Sequence, residues 1–161
     1  MITYTTLENV SGEVLFETNW KTMSERLKKE VNLDRFCEML REQDYDPTIS
    51  VGAFDTETGE CVSLVLNCIL KDKEKTAYDI ITCTIPEYRR RGIARTIFEK
   101  VKVLLKERGI EIYTTETKRD NVIAQSMYRS LGFEIKNEVV TTMKTPNGSR
   151  QVEQYEVVMK L

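Results

Sequence analysis

Apolar side chains recur at helical spacing from about Ile93 to Arg108. Ile93, Ile97, Phe98, Val101, Leu104 and Leu105 share one face, and Lys100, Lys102, Lys106 and Glu107 lie mostly on the other. That spacing predicts an amphipathic helix, and Gly109 stops it. Leu33, Phe36, Met39 and Leu40 predict a shorter helix ended by Asp44 to Pro47. Ser11 is placed to cap a helix carrying Val14, Leu15 and Phe16, and Asp120 or Asn121 to cap one over Val122 to Ser130, closed by Gly132. Ile2–Leu7, Thr48–Phe54, Cys61–Leu70, Ala77–Ile85, Ile110–Glu116, Phe133–Met143 and Gln151–Leu161 read as strands. Polar turns at 55–60, 71–75 and 145–149 join neighbouring strands. The charged run Lys21 to Glu30 shows no decisive period.

The three middle strands form an antiparallel meander. Strand, helix, strand from Ala77 to Glu116 is a crossover unit, so its two strands are expected to lie parallel. The order of elements predicts an α+β fold in one domain, residues 1–161, a length that builds a core without staples.

Between the third meander strand and the long helix stands Ile85-Pro86-Glu87-Tyr88-Arg89-Arg90-Arg91-Gly92-Ile93-Ala94. Pro86 ends the strand by removing a ladder donor. Gly92 lacks a Cβ and permits close approach of a ligand to the backbone. Ala94 keeps the first helical turn open, and the three arginines add positive charge. A turn of this kind points backbone N–H groups at one spot beside the positive end of a helix dipole, which suits phosphate or pyrophosphate. The plainer reading is a solvated basic turn.

Composition narrows the chemistry. The chain contains no histidine, which excludes Ser-His and Cys-His nucleophilic pairs and disfavours the commonest zinc sites. Net charge is -2, which argues against nucleic-acid binding driven by bulk charge. Cys37, Cys61, Cys68 and Cys83 form no C-x-x-C pair and read as small buried groups in a reducing compartment. There is no signal-peptide pattern and no apolar run of membrane-spanning length, so a cytoplasmic protein with no membrane contact is expected.

The element order, with two motifs, resembles the GNAT family of N-acetyltransferases. Arg89-x-x-Gly92-x-Ala94 is similar to the family's Gln/Arg-x-x-Gly-x-Gly/Ala pyrophosphate signature. Asn121-x-x-Ala124 followed by Tyr128-x-x-Leu131-Gly132-Phe133 is similar to its second signature. The resemblance covers nearly the whole chain and is firmest from Tyr78 to Phe133. It implies a mostly antiparallel twisted sheet of six to seven strands, flanked by helices, with a V-shaped splay near Thr84 and Thr115. It implies acetyl-CoA as cofactor, its pyrophosphate held around Arg89, Arg90, Arg91, Gly92, Ile93, Ala94 and Arg95. Thr82, Cys83, Thr84 and Ile85 would face the pantetheine arm, and Asn121 would touch it or order the site. Tyr128 occupies the family's general-acid position.

A tyrosine is neutral at pH 7 and able to give a leaving thiolate its proton. Asp79 is the preferred base, with Glu116 as main rival and Glu87 as a third candidate acting through water. The implied activity is acetyl transfer to a primary amine, in a small molecule or a peptide; the alternative is a CoA-binding sensor without turnover. Trp20 and Tyr45 are candidates for acceptor contact. A homodimer through the last strands is open, and no metal is expected.

Overall fold

Seven strands form one sheet in the order β1-β2-β3-β4-β5-β7-β6, and the computed structural model describes all residues, 1–161. The strands are β1 (Ile2–Thr6), β2 (Val51–Asp55), β3 (Cys61–Ile69), β4 (Thr76–Thr84), β5 (Ile112–Lys118), β6 (Glu134–Thr145) and β7 (Gly148–Lys160). The helices are α1 (Gly12–Trp20), α2 (Glu25–Lys28), α3 (Leu33–Glu42), α4 (Ile93–Glu107) and α5 (Val122–Ser130). All neighbours pair antiparallel except β4 and β5, which are parallel as the crossover requires. This is the expected α+β sheet, with the larger strand number.

Two layers cover the sheet. On one face α4 lays Ile93, Ile97, Phe98, Val101 and Leu105 against Val62, Val65, Ala77, Tyr113 and Val157. On the other face Leu15, Phe36 and Leu40 of α1 and α3 pack on Cys61, Leu64, Leu66 and Cys83. Strand β3 is therefore buried on both faces, which explains its continuous apolar run.

Several boundaries differ from the sequence reading. Pro47–Ile49 is a 3-10 turn rather than the start of β2, because Asp46 Oδ1 accepts from the Thr48 N–H and tightens the chain there. The unassigned charged run contains α2, capped by Ser24. The fifth strand begins at Ile112 and runs on to Lys118, since its backbone continues to pair with β7. The last loop shrinks to Pro146-Asn147 as the β6–β7 ladder extends to Thr145 and Gly148.

Phe98 is fully buried, and its ring lies 5.8 Å from Phe133, 6.1 Å from Tyr113 and 6.3 Å from Tyr128. These tilted and edge contacts seat α5 against the sheet. Phe98→Ala is expected to destabilise the fold by about 3–5 kcal/mol, measured by urea unfolding, because the cavity it leaves sits among fixed elements. A loss below about 1 kcal/mol would show that this aromatic cluster does not anchor α5.

Candidate active site

Strands β4 and β5 pair only through Thr76, Ala77 and Tyr78, against Ile112, Tyr113 and Thr114. Beyond that point they part. The register of β4 on β3 shifts at the same place: Asn67 opposes Asp79 and Leu66 opposes Ile81, leaving Ile80 without a partner. An extra residue bends its strand and increases local twist, which turns β4 away from β5. The V expected near Thr84 and Thr115 thus opens just after Tyr78. Its open edge on β4 includes Thr82 and Thr84; Arg89 Nε donates to the Thr84 carbonyl at 3.0 Å, across that edge.

Below the open edge the chain makes a 3-10 turn, Pro86–Tyr88, and enters α4. Arg90 has φ 61 and Gly92 has φ 75, both left-handed. The backbone N–H groups of residues 90 through 95 donate to no protein acceptor. Consecutive N–H groups in such a turn, at a helix N-terminus, form an anion cradle. A Cβ built on Gly92 would meet no protein atom within 4 Å, so the cradle is open on that side. The arginine side chains do not converge as a cluster. Arg91 donates to the Glu87 carbonyl and stacks on Tyr88, and Arg95 reaches the Ser130 carbonyl. Arg90 makes no side-chain hydrogen bond or ion pair with the protein. These features fit a pyrophosphate with an extended arm lying along β4.

At the vertex of the V lies Asp79, 1% exposed. Its Oδ2 accepts from Thr82 Oγ1 at 2.5 Å and from the Tyr128 hydroxyl at 3.0 Å. Its Oδ1 is buried and has no partner. Thr115 Oγ1 donates to the Asp79 carbonyl at 2.8 Å and ties the two strands where they separate. Burial pushes the Asp79 carboxyl up from 3.8 to about 6, against the two hydroxyl donors, with the Glu116 charge adding to the rise. Burial also raises the Tyr128 hydroxyl well above its usual value, so it keeps its proton at neutral pH. Asn121 caps α5 by accepting from the Ala124 N–H; in this structure its side chain shapes the start of α5.

Asp79 therefore weakens the fold at neutral pH. A carboxyl raised in the folded state favours folding below its unfolded pKa and loses that contribution as pH rises through about 6. The loss is roughly 3 kcal/mol at most. Asp79→Asn is expected to match the wild type in urea unfolding near pH 4 and to exceed it by about 1–3 kcal/mol near pH 8. Equal stabilities at both pH values would show that Asp79 is not held protonated by burial.

Glu116 faces elsewhere. With Tyr78, Thr114, Glu156, Asp72, Lys73 and three further residues it lines a cavity of about 260 Å³ beside the split. Glu116 and Glu156 oppose one another directly across β5 and β7. Burial raises the Glu116 carboxyl, Lys73 lowers it and Glu156 raises it. Lys73 is the single basic residue in the wall. Sequence reading missed Glu156, because only the β5–β7 register brings it opposite Glu116. It also missed Thr82 as a partner of Asp79: three residues apart on a regular strand the two would face opposite ways, and the bulge at Ile80 brings them to one side.

Trp20 ends α1, 39% exposed, with Lys28 Nζ 4.3 Å from its ring centroid. Tyr45 lines a separate cavity of about 420 Å³ with Leu15, Cys37 and Leu40. Neither is part of the cavity at the split. Glu87 sits in the turn before the arginines, exposed. Cys83 is buried on the α1–α3 side of the sheet, and Ile85 and Ile93 are buried in the α4 core, so these three shape the site through their backbone. No group of three or more potential metal ligands occurs. No helix is long and apolar enough to cross a membrane.

A sheet split at one parallel pair, an anion cradle at the following helix and a buried tyrosine at the vertex define an acetyltransferase-like fold and site. The model of the acetyltransferase (GNAT) family matches residues 13–133, and the chain belongs to that family. Among its relatives, the [ribosomal protein bS18]-alanine N-acetyltransferase of Escherichia coli K12 is 30% identical over 78 residues, 48% of this chain and 51% of that protein. The aminoglycoside N(6')-acetyltransferase type 1 of Acinetobacter haemolyticus is 34% identical over 56 residues, 35% of this chain and 39% of that protein. The chain thus spans about half or less of the curated relatives it matches. Among solved structures, the PaiA N-acetyltransferase of Thermoplasma acidophilum in complex with coenzyme A superposes with a TM-score of 0.71. It is 17% identical, and the match covers 100% of this chain and 99% of that one.

Proposed function

We propose that this protein is an acetyl-CoA-dependent N-acetyltransferase acting on a primary amine through a ternary complex. The observation that carries this reading is the run of unpaired backbone N–H groups at residues 90 to 95, opening beside the unpaired edge of β4. Those N–H groups would hold the pyrophosphate, and residues 82–85 would lie along the pantetheine arm. Acetyl-CoA supplies the thioester whose acyl group is transferred. Tyr128 holds the proton that the leaving thiolate needs, inside a site that excludes bulk water.

The acceptor side is the cavity beside the split. Two opposed carboxylates there, Glu116 and Glu156, repel one another unless a cation intervenes. An amine that arrives as an ammonium supplies that cation. The named relatives acetylate an alanine of a ribosomal protein and an aminoglycoside, both amine acceptors. A cavity of about 260 Å³ suits a small amine or the end of a peptide.

Calorimetric titration with acetyl-CoA, followed by thiol release against a panel of amines, tests the reading. Micromolar binding with thiol release on some amine is expected. Binding without release across the panel would leave a CoA sensor, and no binding would refute the cradle.

A further inference from the structure

We propose that Asp79 and Tyr128 form one proton relay, which carries the proton lost by the acceptor amine to the departing sulfur. The inference rests on the transferase reading and goes beyond it by joining the acid and the base in a single buried pair.

The geometry shows two different carboxylate oxygens. Oδ2 is occupied by Thr82 and Tyr128. Oδ1 is buried and empty. An unpaired buried carboxylate oxygen costs stability, and a donor that arrives with the substrate removes that cost. The pair lies where β4 and β5 part; Tyr78, the preceding residue of β4, projects to the opposite face of the sheet and lines the acceptor cavity, so the open split is what joins the two. As found, the Tyr128 proton points at Asp79. While Asp79 is ionised, that proton is committed to it. Protonating Asp79 weakens its hold and frees the hydroxyl to donate elsewhere.

The proton balance then closes. An acceptor that arrives as an ammonium first gives one proton to solvent; the neutral amine nitrogen then bonds to the acyl carbon and the carbon–sulfur bond breaks. Nitrogen sheds one proton, and Asp79 Oδ1 accepts it, directly or through one water. Tyr128 gives its hydroxyl proton to the sulfur. A half-turn of the neutral carboxyl about its Cβ–Cγ bond brings its proton to the phenolate oxygen. Both residues return to their starting state, and solvent supplies nothing. Tyr128 alone would be a poor donor, because burial raises its hydroxyl well above the usual value. A carboxyl near 6 behind it makes the pair a stronger acid. The charge that acts on Asp79 is that of Glu116 on β5, which lies in the cavity on the other face of the sheet. Tyr78, Tyr113, Tyr128, Cys68 and Cys83 surround it as groups that burial keeps neutral.

A double-variant cycle on kcat with one turned-over amine tests the relay, beside a carbon-13 carboxyl titration of the protein without acetyl-CoA. Asp79→Asn and Tyr128→Phe are each expected to lower kcat about 10²-fold, and the double variant to be no worse than about threefold below either. In the titration Asp79 is expected to ionise near pH 6 and to move upward by about one pH unit in Tyr128→Phe, as a donor to the charged form is lost. Multiplicative losses near 10⁴-fold would overturn the relay while leaving the transferase. An Asp79 that ionises near pH 4, or ignores the tyrosine substitution, would overturn it as well. Thiol release from no amine would refute the transferase reading, and the relay with it.

Discussion

Replacing Tyr128 with phenylalanine is expected to lower kcat about 10²-fold or more and to leave acetyl-CoA affinity nearly unchanged. The ring stays where Phe98 and Phe133 hold it, since both contacts are made by its faces and edges. Only the hydroxyl is lost. The expected factor corresponds to about 2.7 kcal/mol of barrier. The substitution also leaves Asp79 Oδ2 with Thr82 as its one donor, so the fold weakens by about 1–2 kcal/mol at neutral pH. Kinetics and unfolding therefore report on two roles of one hydroxyl. An unchanged kcat with a saturating amine would remove Tyr128 from the mechanism, whatever the stability shows.

Gly92→Val is expected to abolish acetyl-CoA binding in calorimetry, with Kd raised at least about 10²-fold. Gly92 stands at φ 75, and a Cβ there would project into open space over the cradle. The protein itself offers no clash. What the side chain would meet, in the proposed binding mode, is the pyrophosphate. Holding a non-glycine residue left-handed also costs about 1–2 kcal/mol. Gly109→Val separates the two effects. Gly109 has φ 74, equally open surroundings and a position at the other end of α4. It is expected to lose similar stability and to keep acetyl-CoA affinity. Equal loss of affinity in both variants would mean that strain, not the cradle, is responsible. Normal affinity in folded Gly92→Val would show that the anion site lies elsewhere.

Much of the architecture was legible because local patterns and local physics agree. The period of α4, the Asn121 cap, Gly109 and Gly132 each act within a few residues, and the structure places them as the pattern requires. The anion turn was legible for the same reason. Pro86, Gly92 and the start of α4 are contiguous, so the unpaired N–H groups follow from one short stretch. Start and end points moved where strand pairing or a side-chain capture decided them. Strand β5 runs to Lys118 because β7 pairs with it, and β2 starts late because Asp46 captures a nearby N–H.

The split and its chemistry were less accessible. No glycine or proline marks the bulge at Ile80; it shows only in the register between β3 and β4. Asp79, Glu116 and Glu87 all stood as candidate bases, because exposure is not a local property. Thr82 of its own strand and two separate segments, through Thr115 and Tyr128, hold it. Tyr128 carried a family signature that pointed to its role, but nothing in the chain pointed to the hydrogen bond that ties its proton to Asp79. Glu116 and Glu156 are forty residues apart and meet only through strand register. Trp20 and Tyr45 were proposed for acceptor contact from their chemistry alone, and the packing of α1 and α3 set them apart from the split.

Secondary structure, the crossover, the anion turn and the family were thus written in contiguous residues, where periodicity, caps and glycine conformations act over one or two turns. Which carboxylate is buried, which is paired, where the sheet opens and what lines the cavity beside the split depended on tertiary structure. Those properties arise from pairings between residues tens of positions apart, and desolvation is set by the whole of that packing rather than by any one segment.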